Sequence, residues 1–375
     1  MKIRVERDML ADAVAWASKG IAPKPPIPVL AGLRLSAEAG ALSDGSVHLC
    51  GFDYETSARS TAPADVMDAG SVLVSGRLLS DIVKSLPNKP VDLVTDGTKV
   101  ALTCGPAKFK LLTMPEDDYP TLPAMPDSAG TVAADVFTQA VSQVSVAAAK
   151  DESLPMLTAV RIDAAGGQLT MMATDRYRLA IRTLDWTPTD PDIDTAVMVR
   201  SRALWDVAKS LTTGSTLGVG FDDGMIGFDA GSRKTTSLLI DGEYPKVRAL
   251  FPAEFASTAV VDVAGMVEAV KRMSLVAERN TPVLCVFEDG TLTLEAGRGE
   301  DASGVETIDA VVGGAEQVVA AYNPTFLMDG LQALNAPYAR FSFTQPGKPA
   351  VLTGQAMADS VDDDTYRYLL MPVRL

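Results

Sequence analysis

The 375-residue sequence contains one histidine, His48, and three cysteines, Cys50, Cys104 and Cys285. Those counts exclude much chemistry at the outset. A histidine-cluster metal site needs several imidazoles in one chain, and so does an H-E-x-x-H pair. A Ser-His-Asp triad would have to be built on His48. That residue lies in Val47-His48-Leu49-Cys50, an alternating stretch typical of a half-buried strand, so it reads as structural. The cysteines are odd in number, far apart and without a C-x-x-C pair, which predicts reduced thiols in a cytosolic protein. No G-x-x-x-x-G-K-S/T phosphate loop occurs. The glycines of Gly214-Ser-Thr-Leu-Gly218-Val-Gly220 open no helix and read as a turn. The acidic runs Asp117-Asp118, Asp222-Asp223 and Asp362-Asp363-Asp364 lack the alternating ligands and central glycine of an EF-hand loop, so they read as solvated. No catalytic centre, metal or cofactor is expected.

Composition narrows the partners. There are 33 basic and 48 acidic side chains, a net charge of −15, which excludes a uniformly basic nucleic-acid binder. A hydrophobic content of 47% is enough to build folded cores. Met1-Lys2-Ile3-Arg4-Val5-Glu6 has no apolar core of a signal peptide, and no run of about 18 apolar residues follows. The expected location is cytoplasmic, with no membrane partner.

The elements that would position a site repeat three times. Amphipathic segments begin at Asp8, Asp135 and Asp262, spaced 127 residues apart both times. Met9, Leu10, Ala13, Val14 and Ala17 share one helical face, as do Val136, Phe137, Ala140, Val141 and Val144. Each leading Asp is expected to cap its helix, accepting the first free amide protons. Second helices are expected over Ser75–Leu86, Arg200–Leu211 and Asn323–Leu334. Strand-like runs end at Tyr119-Pro120 and Tyr244-Pro245, and a third lies at Tyr366–Leu375. Asp96-Gly97, Gly166-Gly167, Asp223-Gly224 and Asp289-Gly290 signal hairpins. The class is therefore α+β, with domains 1–125, 126–253 and 254–375 divided at proline-rich joints near 123–126 and 251–252. These domains carry net charges of −2, −4 and −9. Locally basic second helices stand out: Arg77, Lys84 and Lys89 against Asp81, and Arg200, Arg202 and Lys209 against Asp206.

Several segments carry a family resemblance. They are Leu369-Leu-Met-Pro-Val-Arg-Leu375, Ala173-Thr-Asp-Arg-Tyr-Arg-Leu-Ala180, Pro25-Pro-Ile-Pro-Val-Leu30, Leu111-Leu-Thr-Met-Pro-Glu-Asp-Asp-Tyr-Pro120, Asp241-Gly-Glu-Tyr-Pro245 and Tyr322-Asn-Pro-Thr-Phe-Leu-Met-Asp-Gly-Leu331. Together they resemble the bacterial sliding clamps, the β subunits of DNA polymerase III, over the whole chain.

The resemblance implies a DNA-clamp fold: three similar domains, each with two helices packed on antiparallel sheets. It implies a head-to-tail homodimer, a ring that encircles duplex DNA without reading sequence and that has no active site of its own. Implied partners are the DNA polymerase III α subunit, the clamp loader, and other clamp-binding polymerases and repair proteins. The implied peptide pocket uses Leu154, Thr174, Arg176, Tyr177, Arg178, Leu179, Pro245, Leu250, Met371, Pro372, Val373, Arg374 and Leu375, with Thr174 and the arginines holding the peptide backbone. The DNA-facing residues implied are Lys24, Arg77, Lys84, Arg200, Arg202, Lys209, Arg272 and Arg279, with the third domain contributing least. At the dimer contact, Phe109 and Leu111 are expected to meet Leu275 and Val276 of the other chain. Ala249 and Leu154 depart from the family pattern, which commonly has long polar residues there. Two alternatives follow: a paralogous clamp with altered ligand sensitivity, or a peptide-binding scaffold that does not encircle DNA. An acidic enzyme built from repeats is the reading from a different class.

Overall fold

Among the described residues, apolar residues at helical spacing become three pairs of α-helices. In order they are α1 (Arg7–Ala17), α2 (Gly76–Ser85), α3 (Ala134–Ser145), α4 (Ser201–Ala208), α5 (Val263–Met273) and α6 (Pro324–Ala333). The computed structural model describes all residues except 40–44, 152, 223, 278–280, 289, 298–301 and 375. The expectations for Arg279 and Leu375, and the hairpin residues Asp223 and Asp289, therefore lie outside the described residues.

The caps differ from expectation. Only Asp262 caps as predicted, its Oδ2 accepting from the Gly265 amide at 2.5 Å. Asp8 and Asp135 instead lie inside the first turns of α1 and α3, where the N-terminal dipole still favours their charge. The second helices have more conventional starts. Ser75 accepts from the Leu78 amide, and Asn323 accepts from Thr325 and Phe326.

Among the described residues the strands form two continuous sheets, of thirteen and twelve strands. The chain divides into two compact units accordingly. The first holds Met1–Asp135, Thr187–Asp190 and Asp206–Leu239; the second holds Val136–Trp186, Pro191–Trp205 and Ile240–Leu375. The middle repeat thus gives strands to both sheets.

In the first unit, Thr56–Asp68 pairs antiparallel with Arg233–Leu238, in the register Ala58↔Thr235. In the second, Arg178–Asp185 pairs with Asp363–Leu370, in the register Ala180↔Tyr368. These are the same two positions of the repeat, so each junction between repeats is a strand pair.

The predicted faces form the cores except at Met9, which is exposed. Leu10, Ala13, Val14 and Ala17 of α1 join Leu79, Ile82 and Val83 of α2 over Leu33, Leu35, Val47 and Leu49. One glycine reading needs correction. Gly218 and Gly220 belong to the strand Thr216–Phe221, not to a turn. A Cβ on Gly220 would lie 2.5 Å from the Asp127 carbonyl oxygen, so close backbone approach explains that glycine.

Two cations fasten the first two repeats within the first unit. Lys19 donates to the Asp206 carbonyl at 2.7 Å and lies over the Trp16 ring. Arg233 donates to the Ser210 carbonyl at 2.6 Å and reaches Asp12 Oδ2 of the first repeat at 3.5 Å. Both cations lie at or just past the C-terminal end of α4, where the helix dipole favours positive charge.

Candidate peptide cleft and strand edges

The residues Asp175–Tyr177 turn tightly between the strands Gln168–Thr174 and Arg178–Asp185. Arg176 takes the left-handed conformation, φ 78°. Side chains fix that turn. Asp175 Oδ1 accepts from the amides of Tyr177 (3.0 Å) and Arg178 (3.1 Å). The Thr174 hydroxyl accepts from the Arg176 amide and donates to the Arg178 carbonyl at 2.7 Å.

Arg178 is 3% exposed and sits at the centre of a network. Its guanidinium donates to Asp175 Oδ2 at 2.9 Å and to Asp329 Oδ2 of α6 at 2.5 Å, and it stacks 4.3 Å over Phe326. Burial opposes its charge, yet Tyr368, Asp329 and Asp175 outweigh that and hold its pKa above the ordinary value. Thr174 and Arg178 are among the residues expected to hold a bound peptide. Their polar atoms are engaged in shaping the turn and in joining it to α6.

The turn also anchors the C-terminal segment. Met371 donates its amide to the Tyr177 carbonyl at 2.9 Å, and Val373 donates to Ala321 at 2.8 Å. Tyr177, Met371 and Val373 present exposed apolar surface, with Pro372 half-buried between the last two. Tyr177 stacks on Phe326, with ring centroids 6.2 Å apart.

A cleft of about 300 Å³ lies along Tyr244–Ala249, lined also by Met172, Arg161 and Asp163. Pro245 is on its rim. Leu179 lies beneath, in one cluster with Met172, Tyr244, Val247 and Leu369. Asp163 links two cations, accepting from Arg161 at 2.6 Å and from Arg248 at 3.0 Å. Met172, Tyr244, Val247 and the Arg161–Asp163–Arg248 link were not anticipated as site residues, although Tyr244 marked the repeat and stood beside the expected Pro245. Of the described residues expected at the pocket, Pro245 lines this cleft and the others do not. Leu154 is exposed at the start of a short 3-10 helix, Leu250 is exposed just beyond the cleft, and Arg374 lines a separate cavity with Thr281 and Val305.

Besides the strands that end each sheet, two strands at the junction positions of the repeat have an open edge among the described residues. Ala107–Met114 pairs along 107–112 with Lys99–Cys104 on one side, but meets its other neighbour only at Thr113 and Met114. Gly304–Gly313 pairs along 304–310 with Gly290–Ala296, but meets Ser257–Asp262 only at 310–313. Leu111 needs correction here. It is 2% exposed and faces the core with half-buried Phe109, whereas Leu112 is 69% exposed on the opposite face. Leu275 is 84% exposed, and Val276 is half-buried.

Comparison with known proteins accounts for this arrangement. Family models of the DNA polymerase III β subunit match its N-terminal domain at residues 1–123, its central domain at 131–246 and its C-terminal domain at 248–374. The chain belongs to the sliding-clamp family. It is 50% identical over 380 residues to the β sliding clamp of Streptomyces coelicolor, covering all of both chains. It is 42% identical to the β sliding clamp homolog GriR of Streptomyces muensis, covering 100% of this chain and 99% of that one. Its fold matches the crystal structure of the Bacillus subtilis sliding clamp with a TM-score of 0.90 at 25% identity, over 100% and 99% of the two chains.

The cations that the clamp resemblance assigns to DNA are differently disposed. Lys24, Arg77, Lys84, Arg202 and Lys209 are exposed, and Arg200 is half-buried. Arg272 is exposed but not free, since its Nε donates to Glu306 Oε2 at 2.9 Å.

That hydrogen bond, then burial opposing it, and then the charge of Arg272 leave the Glu306 carboxyl below its ordinary value of 4.5. A depressed carboxyl stabilises the fold above its unfolded value and loses that contribution as pH falls through the folded value. Glu306→Gln should therefore lower the melting temperature at pH 7 and make no difference well below pH 4.5. Thermal melts at the two pH values check this; an equal deficit at both contradicts it. Among the described residues, no three His, Cys, Asp or Glu side chains gather as a metal site, and no helix is long and apolar enough to cross a membrane.

Proposed function

We propose that two copies of this chain close head to tail into a ring around duplex DNA, as a processivity factor of replication inside the cell. The observation that carries this reading is the repeated strand junction. Within the chain, Thr56–Asp68 receives Arg233–Leu238, and Arg178–Asp185 receives Asp363–Leu370. The third strand of the first kind is Gly304–Gly313, and the unreceived strand of the second kind is Ala107–Met114. Their open edges supply the third junction only if a second chain provides the partner. A contact between two different surfaces makes a ring when the rotation closes.

In this reading the domains are 1–125, 126–253 and 254–375, and the chain has no active site of its own. Lys24, Arg77, Lys84, Arg200, Arg202 and Lys209 attract phosphates without reading bases, which permits sliding. The net charge of −15 keeps DNA from other surfaces.

The cleft beside Tyr244-Pro245, with Tyr177, Met371, Pro372 and Val373, takes short segments of the polymerase, the clamp loader and other clamp-binding proteins. Apolar anchors fit Met172, Val247 and Pro245, while Arg248 and Arg161 face polar parts of the peptide. Identity to an ordinary clamp exceeds that to the GriR homolog, which favours the replicative role over a paralogue with altered ligand sensitivity.

Removing residues 371–375 should reduce capture of a polymerase tail peptide at least tenfold, measured by fluorescence anisotropy, while the dimer persists. Unchanged peptide affinity would contradict the assignment of the tail to this site.

A further inference from the structure

The turn that anchors the C-terminal segment in the second unit has a counterpart in the first. Asp53–Glu55 joins the strands Gly45–Phe52 and Thr56–Asp68, the position of the repeat that Asp175–Tyr177 holds. Asp53 Oδ1 accepts from the amides of Glu55 at 3.0 Å and Thr56 at 2.7 Å, as Asp175 does from Tyr177 and Arg178. The middle residue is left-handed in both, φ 73° at Tyr54 and 78° at Arg176. Each turn receives a strand end from the next repeat. Leu238 donates its amide to the Glu55 carbonyl at 2.8 Å, as Met371 does to that of Tyr177 at 2.9 Å.

The apolar display recurs with the turn. Tyr54 is 50% exposed and Leu238 40%, against 58% for Tyr177 and 40% for Met371. Half-buried Met225, paired across from Leu238, extends the patch. A bulky side chain rarely takes a left-handed backbone, and residues held so gather at binding sites. Glycine would serve the turn alone without strain; what Tyr54 adds is an exposed ring.

Charge separates the two surfaces. Arg176, Lys246 and Arg248 are exposed in the second unit, around its turn and cleft. The described charged side chains of residues 53–55, 222–225 and 238–239 are all carboxylates: Asp53, Asp222 and Glu55, the last with a partner of its own. Asp222 lies beside the patch, since its amide donates to the Met225 carbonyl and Leu239 donates to Gly224. On the two paired strands, Arg59 donates to the Pro123 carbonyl and Lys234 pairs with Asp229 at 2.8 Å, so both are engaged elsewhere.

We propose that Tyr54, Leu238 and Met225 form a second docking surface, for a short partner segment whose aliphatic or aromatic anchor is flanked by lysine or arginine. The inference rests on the reading of Tyr177 and Met371 as a peptide surface. The anchor lies on the ring and the leucine, and its flanking cations meet Asp53 and Asp222. Opposite charge then sorts partners between the two surfaces.

Fluorescence anisotropy of the full chain tests this with two labelled peptides, Lys-Lys-Leu-Phe-Lys and Glu-Glu-Leu-Phe-Glu, alongside the polymerase tail peptide. At low salt the basic peptide should bind saturably. Tyr54→Ser with Leu238→Ser should weaken it at least tenfold, leaving the tail peptide and the melting temperature unchanged. Tyr54→Phe with Leu238→Met should retain binding, which separates lost apolar contact from lost fold. Removing residues 371–375 should leave the basic peptide bound. Affinity for the acidic peptide should not depend on residues 54 and 238.

Failure of the basic peptide to bind, affinity unaltered in the Ser variant, or affinity lost with residues 371–375 would overturn the proposal. So would an acidic peptide that loses affinity equally in the Ser variant. Normal tail binding in any of those cases leaves the cleft reading standing. Absence of tail binding, with the basic peptide still held at Tyr54, would instead remove the cleft reading.

Discussion

Leu275→Asp combined with Val305→Asp should sediment as a single chain under conditions where the unaltered protein sediments as a dimer. Both residues present large apolar surface, 84% and 68% exposed, and Leu112 on the complementary strand is 69% exposed. Val305 lies on the open edge of Gly304–Gly313, and Leu112 on that of Ala107–Met114. An exposed edge with apolar residues is an aggregation hazard unless a partner covers it. Burying one such side chain is worth about 1.5–3 kcal/mol, and a buried unpaired carboxylate adds a further penalty. Two substitutions per interface should therefore cost on the order of 4 kcal/mol or more, about a thousandfold in dissociation constant. Val276 is left in place because it packs near Gly304 within its own chain. A dimer that persists at micromolar concentration would show that these edges are not the interface.

Arg178→Ala should be the most damaging single substitution in the second unit, lowering stability by about 3–5 kcal/mol, the usual cost of breaking a buried ion pair. The substitution leaves Asp175 and Asp329 without their shared cation and removes the stack on Phe326. The loss would reach the turn that receives Met371, so peptide capture should fall with stability. Arg178→Lys should rescue little, because one ammonium cannot reproduce a planar fork bridging two carboxylates over a ring. Urea unfolding of both variants reads the cost. A midpoint unchanged in Arg178→Ala would mean that the network contributes nothing to the fold.

The repeat was legible because helix faces and helix starts recur at nearly constant spacing. Asp262 announced its helix through cap chemistry, while Ser75 and Asn323, placed by the recurrence, cap theirs in the structure. Asp8 and Asp135 misled by a residue or two, since an acid stabilises a first turn as well as a cap. The division of the middle repeat between two sheets was not legible, because strand partners are chosen across more than a hundred residues and leave no local pattern.

Phe109 and Leu111 show how a strand's phase can be misjudged. Alternation correctly puts both on one face, but whether that face meets the core depends on Val100, Leu102 and Ile3, which are distant or unordered in sequence reading. Arg178 could be found in the sequence only as part of a motif. Its partner Asp329 is the one charged residue in α6, and that isolation was the available signal. The link from Arg161 through Asp163 to Arg248 joins a strand to a distant short helix, and nothing in residue spacing announces it.

Encirclement itself is tested most directly by retention on DNA. The protein is loaded by a clamp loader onto nicked circular DNA, separated from free protein, and the DNA is then cut once with a restriction enzyme. A closed sliding ring stays on the circles and leaves as soon as they become linear, at a salt concentration that screens phosphate contacts. Equal loss from circular and linear DNA, or equal retention on both, would contradict a topological link and with it the ring.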